Sequence, residues 1–272
     1  MAVWKTKKRV KKGDGNLVWQ ILGGVVVTGL IVGAIALAGW KEYGEPAIDP
    51  ATFCAETGPS ALTVIAIDAS DPYDAVQIRE IENEVRDLLG ELERGTRLDI
   101  YTMNASRGAL ATRVFSRCNP GRAIWMDQIA GQPTEVERVY REEFANAING
   151  ALATTIEGGA ADNSPIVESI RAIAADSLGS VDDDVPRRLI VASDLVQHSD
   201  VYSMFRSGVG EFAQFSLSSN YADAQTDLRG AEVYLVVILR AEYSRLQSRE
   251  LLLWWEEYVR ANSGHVTDFV RI

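Results

Sequence analysis

Along the chain, short continuous apolar runs alternate with segments whose apolar residues recur at helical spacing. Leu62-Thr63-Val64-Ile65-Ala66-Ile67 and Leu189-Ile190-Val191 read as buried parallel strands, as do Val233 to Leu239 and the shorter Val266 to Val270. Between the strands, Ile78, Ile81, Val85, Leu88 and Leu92 stand at three- and four-residue steps and predict a helix over Tyr73 to Arg94, with Gly95 as its stop. Leu98 to Met103 and Leu110 to Cys118 flank a short Asn-, Ser- and Gly-bearing turn and predict an antiparallel hairpin. Further helical stripes run through Val136, Tyr140, Phe144 and Ile148, then Ile166, Ile170 and Ile173. In the second of these, Pro165 suits a first helical turn behind Ser164 as cap. From Asp200 to Asn220 the pattern is weak. Leu251, Trp254, Trp255 and Tyr258 then form one more amphipathic face, closed by Gly264. This order predicts an α/β fold, a doubly wound, mostly parallel sheet with one antiparallel edge strand.

The front of the chain follows a different pattern. No residue from Gly15 to Trp40 is charged, and Leu17 to Trp40 is apolar over a length that crosses a hydrocarbon core of roughly 30 Å. It predicts a single transmembrane helix. Trp19 and Trp40 bracket it about 32 Å apart at the ~1.5 Å rise of a helix, where aromatic belts sit. Lys5, Lys7, Lys8, Arg9, Lys11 and Lys12 precede it against one acid, Asp14, so the positive-inside rule places the N-terminus in the cytoplasm and the rest outside. The expected organisation is a basic tail over 1–16, the membrane helix over 17–40, a Gly- and Pro-bearing linker over 41–60 and an extracytoplasmic domain over 61–272. Ala36-Leu37-Ala38 offers a signal-peptidase pattern as the alternative, although the apolar stretch exceeds the roughly 7–15 residues of a signal core. Gly29 and Gly33 form a G-x-x-x-G pair that can seat a second copy, set against the general abundance of Gly in membrane helices.

Composition and charge sharpen this. The chain has 272 residues, 47% hydrophobic, and a formal net charge of −11. Taking away the +5 of the first sixteen residues leaves −16 on the remainder, a balance that repels nucleic acid. Cys54 and Cys118 both fall on the outer side, where an oxidising compartment favours a disulfide that staples the linker to a sheet edge; two free thiols are the alternative. A bacterial inner membrane with a periplasmic domain is the expected setting, and protein partners there or in the membrane are the expected ligands.

The candidate chemistry lies at two strand tips, Asp68-Ala69-Ser70 and Ala192-Ser193-Asp194. Ligands of open parallel sheets bind outside the carboxyl ends of the strands, so two acidic tips there would place oxygen ligands suited to a hard cation around one crevice. No G-x-S-x-G elbow, P-loop or H-E-x-x-H motif occurs, and Gly208 to Ala213, though it spells G-x-G-x-x-A, follows no convincing strand.

With these tips, the order of elements from about Ala61 to Ile272 resembles the von Willebrand factor A-like family. That family builds a metal-ion-dependent adhesion site from a D-x-S-x-S loop, a Thr on a later loop and an Asp after the fourth strand. Asp68 and Ser70 match the loop, Pro72 replaces its second Ser, Ser164 stands at the Thr position and Asp194 at the last Asp. The resemblance implies a metal site of Asp68, Ser70, Ser164 and Asp194 holding a divalent cation, Mg²⁺ or Ca²⁺, one ligand short, whose open position takes a partner's carboxylate. The same acids could instead cap helices or tie loop backbone. The expected function is a non-catalytic, membrane-anchored protein-binding module. The alternatives are a metal-free scaffold subunit of an envelope complex and a metal-dependent hydrolase using Asp68, Asp194 and His198.

Overall fold

The computed structural model describes residues 24–35, 46–104, 109–122, 133–156 and 161–272. The chain divides into two compact units, Met1–Ala47 and Ile48–Ile272. In the first, residues 24–35 form a helix that leaves Val25, Val26, Val27, Leu30, Ile31, Val32 and Ile35 exposed. Gly29 and Gly33 lie within it. The basic tail and the two ends of the predicted span Leu17 to Trp40 lie outside the described residues. Among the described residues no helix is long and apolar enough to cross a membrane.

The second unit is an α/β fold around a six-stranded sheet. Its strands are β1 (Ala61–Asp68), β2 (Thr96–Met103), β3 (Ala111–Cys118), β4 (Arg187–Ser193), β5 (Glu232–Val237) and β6 (His265–Arg271), in the order β3-β2-β1-β4-β5-β6. Only β3 runs antiparallel, against β2; every other pairing is parallel. The predicted mostly parallel sheet with one antiparallel edge is present. The fully apolar central runs follow from burial on both faces, since β1 from Leu62 onwards is buried at every position.

One face is covered by α4 (Ile166–Asp176), α8 (Arg249–Ala261) and the short helices α5 (Met204–Ser207), α6 (Phe212–Ser216) and α7 (Tyr221–Ala224). The first two of these short helices, α5 and α6, occupy the weakly patterned segment from Asp200 to Asn220, and α7 follows it directly. Aromatic packing holds them, with Phe212 and Phe215 against Trp254 at ring separations of 5.5 and 5.7 Å. The opposite face carries α1 (Ala75–Glu91) and one continuous helix made of α2 (Pro133–Val139), a π-helical stretch Tyr140–Ala145, and α3 (Asn146–Ile156).

Two local boundaries differ from the expected ones for identifiable reasons. The predicted helix over Tyr73 to Arg94 is shorter at both ends. At its start the Asp74 carboxylate accepts from the backbone N–H groups of Val76 and Gln77, while Asp74 N–H donates to the Gln77 side chain; this capping box sets the helix start and leaves Tyr73 outside. Ser164 does not cap α4. Pro165 occupies that position without a side-chain bond, because the Ser164 hydroxyl turns to Asp68 instead.

Cys54 and Cys118 are disulfide-bonded with their Cα atoms 4.9 Å apart, and Cys118 N–H donates to Thr52 O at 2.8 Å. The expected staple between linker and edge strand is therefore formed, and closing a loop of this size stabilises the fold by ~4 kcal/mol in the chain-entropy account. At the opposite end of β4, buried Arg187 satisfies its guanidinium on the carbonyls of Leu178, Val181, Asp182, Asp183 and Val185. It knits the acidic turn to the sheet.

Candidate functional site

The chain leaves β1 towards β2 on one side, and β4 lies on the other, so the β1–β4 boundary is the point where strand order reverses. Ligand crevices of doubly wound sheets form there, at the carboxyl ends of the strands. The register pairs Ile67 with Ala192, which brings Asp68 level with Ser193 and places Asp194 one residue further on.

The crest is built around the Asp68 carboxylate. Oδ1 accepts from Ser70 N–H at 3.0 Å and from Ser70 Oγ at 2.6 Å. Oδ2 accepts from Ser164 Oγ at 3.0 Å and from Ser193 Oγ at 2.9 Å. Ser70 Oγ and Ser164 Oγ are themselves 3.3 Å apart. Asp68, Ser70 and Ser193 are buried, and Ser164 is half-buried. Three of the four expected residues thus meet directly, although Ser70 and Ser164 are 94 positions apart in sequence.

Asp194, also buried, joins them through strand adjacency rather than by a hydrogen bond. Its Oδ1 accepts from Val196 N–H at 2.8 Å, its backbone carbonyl accepts from Gln247 Nε2 at 3.0 Å, and its second carboxylate oxygen accepts no hydrogen bond among the described residues. Burial, and then the neighbouring Asp68 carboxylate, push the Asp194 carboxyl up to about 7. The next residue, Leu195, is held at φ 61°, a left-handed conformation that a branched side chain adopts at some cost. Its carbonyl accepts from Trp255 Nε1 at 2.8 Å and its N–H donates to Ser193 Oγ at 3.0 Å.

The sequence pattern did not single out several flanking groups. Tyr73, just ahead of α1, donates its hydroxyl to the Asp68 carbonyl, and burial followed by the Asp68 charge raises its pKa well above the ordinary value. Arg240 donates to Pro72 O at 2.6 Å and lies over the Tyr73 ring, 5.4 Å from its centre. Asp71 is half-buried; burial raises its carboxyl, and Arg240 opposes the rise. Ser193 and Tyr73 lay inside readable tips without an assigned role. Arg240, after β5, has no local signal tying it to Pro72.

His198 is engaged elsewhere. Its Nδ1 hydrogen-bonds with Ser203 Oγ at 2.8 Å, its ring meets Phe205 edge-on at 5.1 Å, and its backbone pairs with Ser164. No hydrogen bond joins it to Asp68 or Asp194 among the described residues. Gly208 and Gly210 sit in the turn between α5 and α6 with φ of 70° and 65°, and a side chain at Gly210 would strike the Tyr202 hydroxyl at 2.7 Å.

The donor set is made of carboxylate and hydroxyl oxygens, the ligands of hard cations. Among the described residues no group of three or more His, Cys, Asp or Glu side chains converges; the crest offers two acids and three hydroxyls. Pro72 adds no side-chain oxygen, and its carbonyl is committed to Arg240, while Ser193 supplies a hydroxyl from β4. Two adjacent buried acids remain, with an Asp194 oxygen that accepts no hydrogen bond among the described residues.

No family model and no curated protein matches this sequence. Fold and crest together define a class: an α/β domain that displays buried acids and hydroxyls at the switch point of its sheet.

Proposed function

We propose that the chain is a membrane-anchored, extracytoplasmic protein-binding module with a von Willebrand factor A-like domain, working without catalysis. Its crest captures a partner through a divalent cation held by Asp68, Ser70, Ser164 and Asp194. One observation carries this reading: Ser70, Ser164 and Ser193 converge on a single buried carboxylate beside a second acid. A bound Mg²⁺ or Ca²⁺ supplies the positive charge that this pair lacks and a coordination position for an acidic group of the partner. Of the chain's own residues, Asp68 and Asp194 hold the charge, the serine hydroxyls orient Asp68, and the Asp194–Val196 and Gln247 bonds keep the β4 tip turned towards β1.

The anchor reading rests on the uncharged stretch from Gly15 to Trp40 and on the exposed valine, leucine and isoleucine side chains of helix 24–35. With the basic N-terminus inside, the crest faces the periplasm of a bacterial inner membrane. The non-catalytic reading is supported by the capture of His198 by Ser203.

The test is crosslinking and affinity purification from native membranes. Asp68→Ala with Asp194→Ala removes partner recovery, and chelation of divalent cations does the same to the unaltered chain, while circular dichroism of the variant stays unchanged. Undiminished recovery with the double variant contradicts the proposal.

A further inference from the structure

Among the described residues, the two faces of the sheet are not equally covered by helices. Packed helices lie roughly 8–10 Å apart and strands roughly 4.7–4.9 Å apart, so one helix covers about two strands, and six strands leave room for three helices on each face. On the face that carries α1, α3 packs on β2 and β3, and Ile81 and Val85 of α1 share one core cluster with Ile65, Ile67, Ile190 and Ala192 of β1 and β4. Among the described residues, the helix that packs on β6 is α8, which lies on the other face with Val233, Leu235 and Val237. Beside α1 on this face is a cavity of about 370 Å³, lined by Ile65 and Ile67 of β1, Ile190 of β4, Tyr234 and Val236 of β5 and Thr267 of β6.

The rim of this cavity is acidic. Glu84, Asp87 and Glu91 recur at three- and four-residue steps along the α1 wall, and Glu232 and Thr267 line the strand side. Asp268 is registered opposite Tyr234 and its charge acts on the Tyr234 hydroxyl. Arg188 spans one end, 3.8 Å from Glu91 and 3.9 Å from Glu232. Glu84, Asp87 and Asp268 make no ion pair among the described residues.

From this shape and charge we infer that the groove between α1 and the β5–β6 edge seats an amphipathic helix of another protein, its apolar stripe on Tyr234 and Val236 and its lysines or arginines against Asp87, Glu84 and Asp268. An apolar floor with charged walls is the pattern of helix-in-groove recognition. The acidic rim repels the carboxylate or phosphate of an anionic lipid, and it repels a second copy of a domain that is itself strongly acidic. This surface is separate from the crest and does not depend on it.

The experiment uses the full chain in phosphatidylcholine nanodiscs and two fluorescent 18-residue helical peptides, with empty-disc binding subtracted. Both share one leucine stripe; one carries lysine flanks, the other glutamate flanks. The lysine peptide is expected to bind at least about tenfold more tightly than the glutamate peptide, as charge complementarity requires. Asp87→Lys with Asp268→Lys, both at exposed positions, abolishes that preference, and Thr267→Arg, at the β6 residue that lines the cavity, weakens the lysine peptide with circular dichroism unchanged. Asp68→Asn leaves peptide binding as it was, which separates this inference from the crest. Three results overturn it: no binding above empty discs, equal binding of the two peptides or indifference to the charge reversals, and a sedimentation-detected dimer that the reversals dissolve, which would assign the groove to a second copy.

Discussion

Two buried acids on neighbouring strands, Asp99 and Asp68, are treated in opposite ways. Asp99 on β2 is fully buried, with Arg97 Nη2 at 3.0 Å, Arg113 at 3.9 Å, and the hydroxyls of Ser116 and Ser177 at 2.7 and 2.5 Å. The chain itself supplies the neutralising cation. Asp68 on β1 has serine hydroxyls and one backbone N–H, forms no ion pair among the described residues, and has Asp194 and Asp71 as acidic neighbours, whose charges Arg240 offsets from a distance. Burying charge without a partner is costly, so a fold that leaves two acids together at a strand crest keeps a charge for something else to neutralise. This contrast is what the proposed cation-binding role of Asp68 rests on.

Substitution sharpens the contrast. Asp99→Ala strands Arg97 in a closed environment and is expected to cost about 3 kcal/mol in denaturant unfolding, the scale for breaking a buried pair. Asp68→Asn strands no cation and relieves repulsion with Asp194, so its cost is expected within about 1 kcal/mol. The reverse ranking would break the comparison.

The pH dependence follows from Asp194. Its carboxyl sits at about 7 in the folded chain, and near 3.9 in an unfolded one, so between those values the native state holds a proton that the unfolded state has lost. Stability without divalent cations therefore falls as pH rises from about 4 through 7. Asp194→Asn is expected to flatten that decline and raise the thermal midpoint at pH 8. A slope that survives the substitution places the titration elsewhere.

Ser193→Ala removes one hydroxyl from Asp68 and one acceptor from Leu195 N–H. A loss of about 1 kcal/mol follows from the usual worth of such bonds, read as a shift in the denaturation midpoint.

Much of the scaffold was legible because its central strands β1 and β4 are buried almost throughout and are therefore written as apolar runs. The crest was legible to the same degree, since strand order and the strand-end rule together located Asp68, Ser70 and Asp194. Ser164 carries two readings from sequence, a cap on the following helix and a member of the crest by family resemblance; only the three-dimensional proximity of β1, where its hydroxyl donates to Asp68, decides between them. The start of α1 falls two residues after the expected Tyr73, where Asp74 and Gln77 form a capping box that the apolar stripe, beginning at Ile78, does not mark. The short helices from Met204 to Ala224 are held by rings from α8, so no local periodicity announces them. Arg240 meets Pro72 across 168 positions, a distance no pattern spans.

The central claim is that Asp68 and Asp194 form a cation-dependent binding crest. Calorimetric titration of the full chain with Mg²⁺ and with Ca²⁺ at pH 7.5, beside Asp68→Asn and Asp194→Asn, tests it most directly. The account predicts saturable binding of one ion by the unaltered chain and its loss in each variant. Absence of binding at millimolar ion, or equal binding by all three proteins, would contradict it.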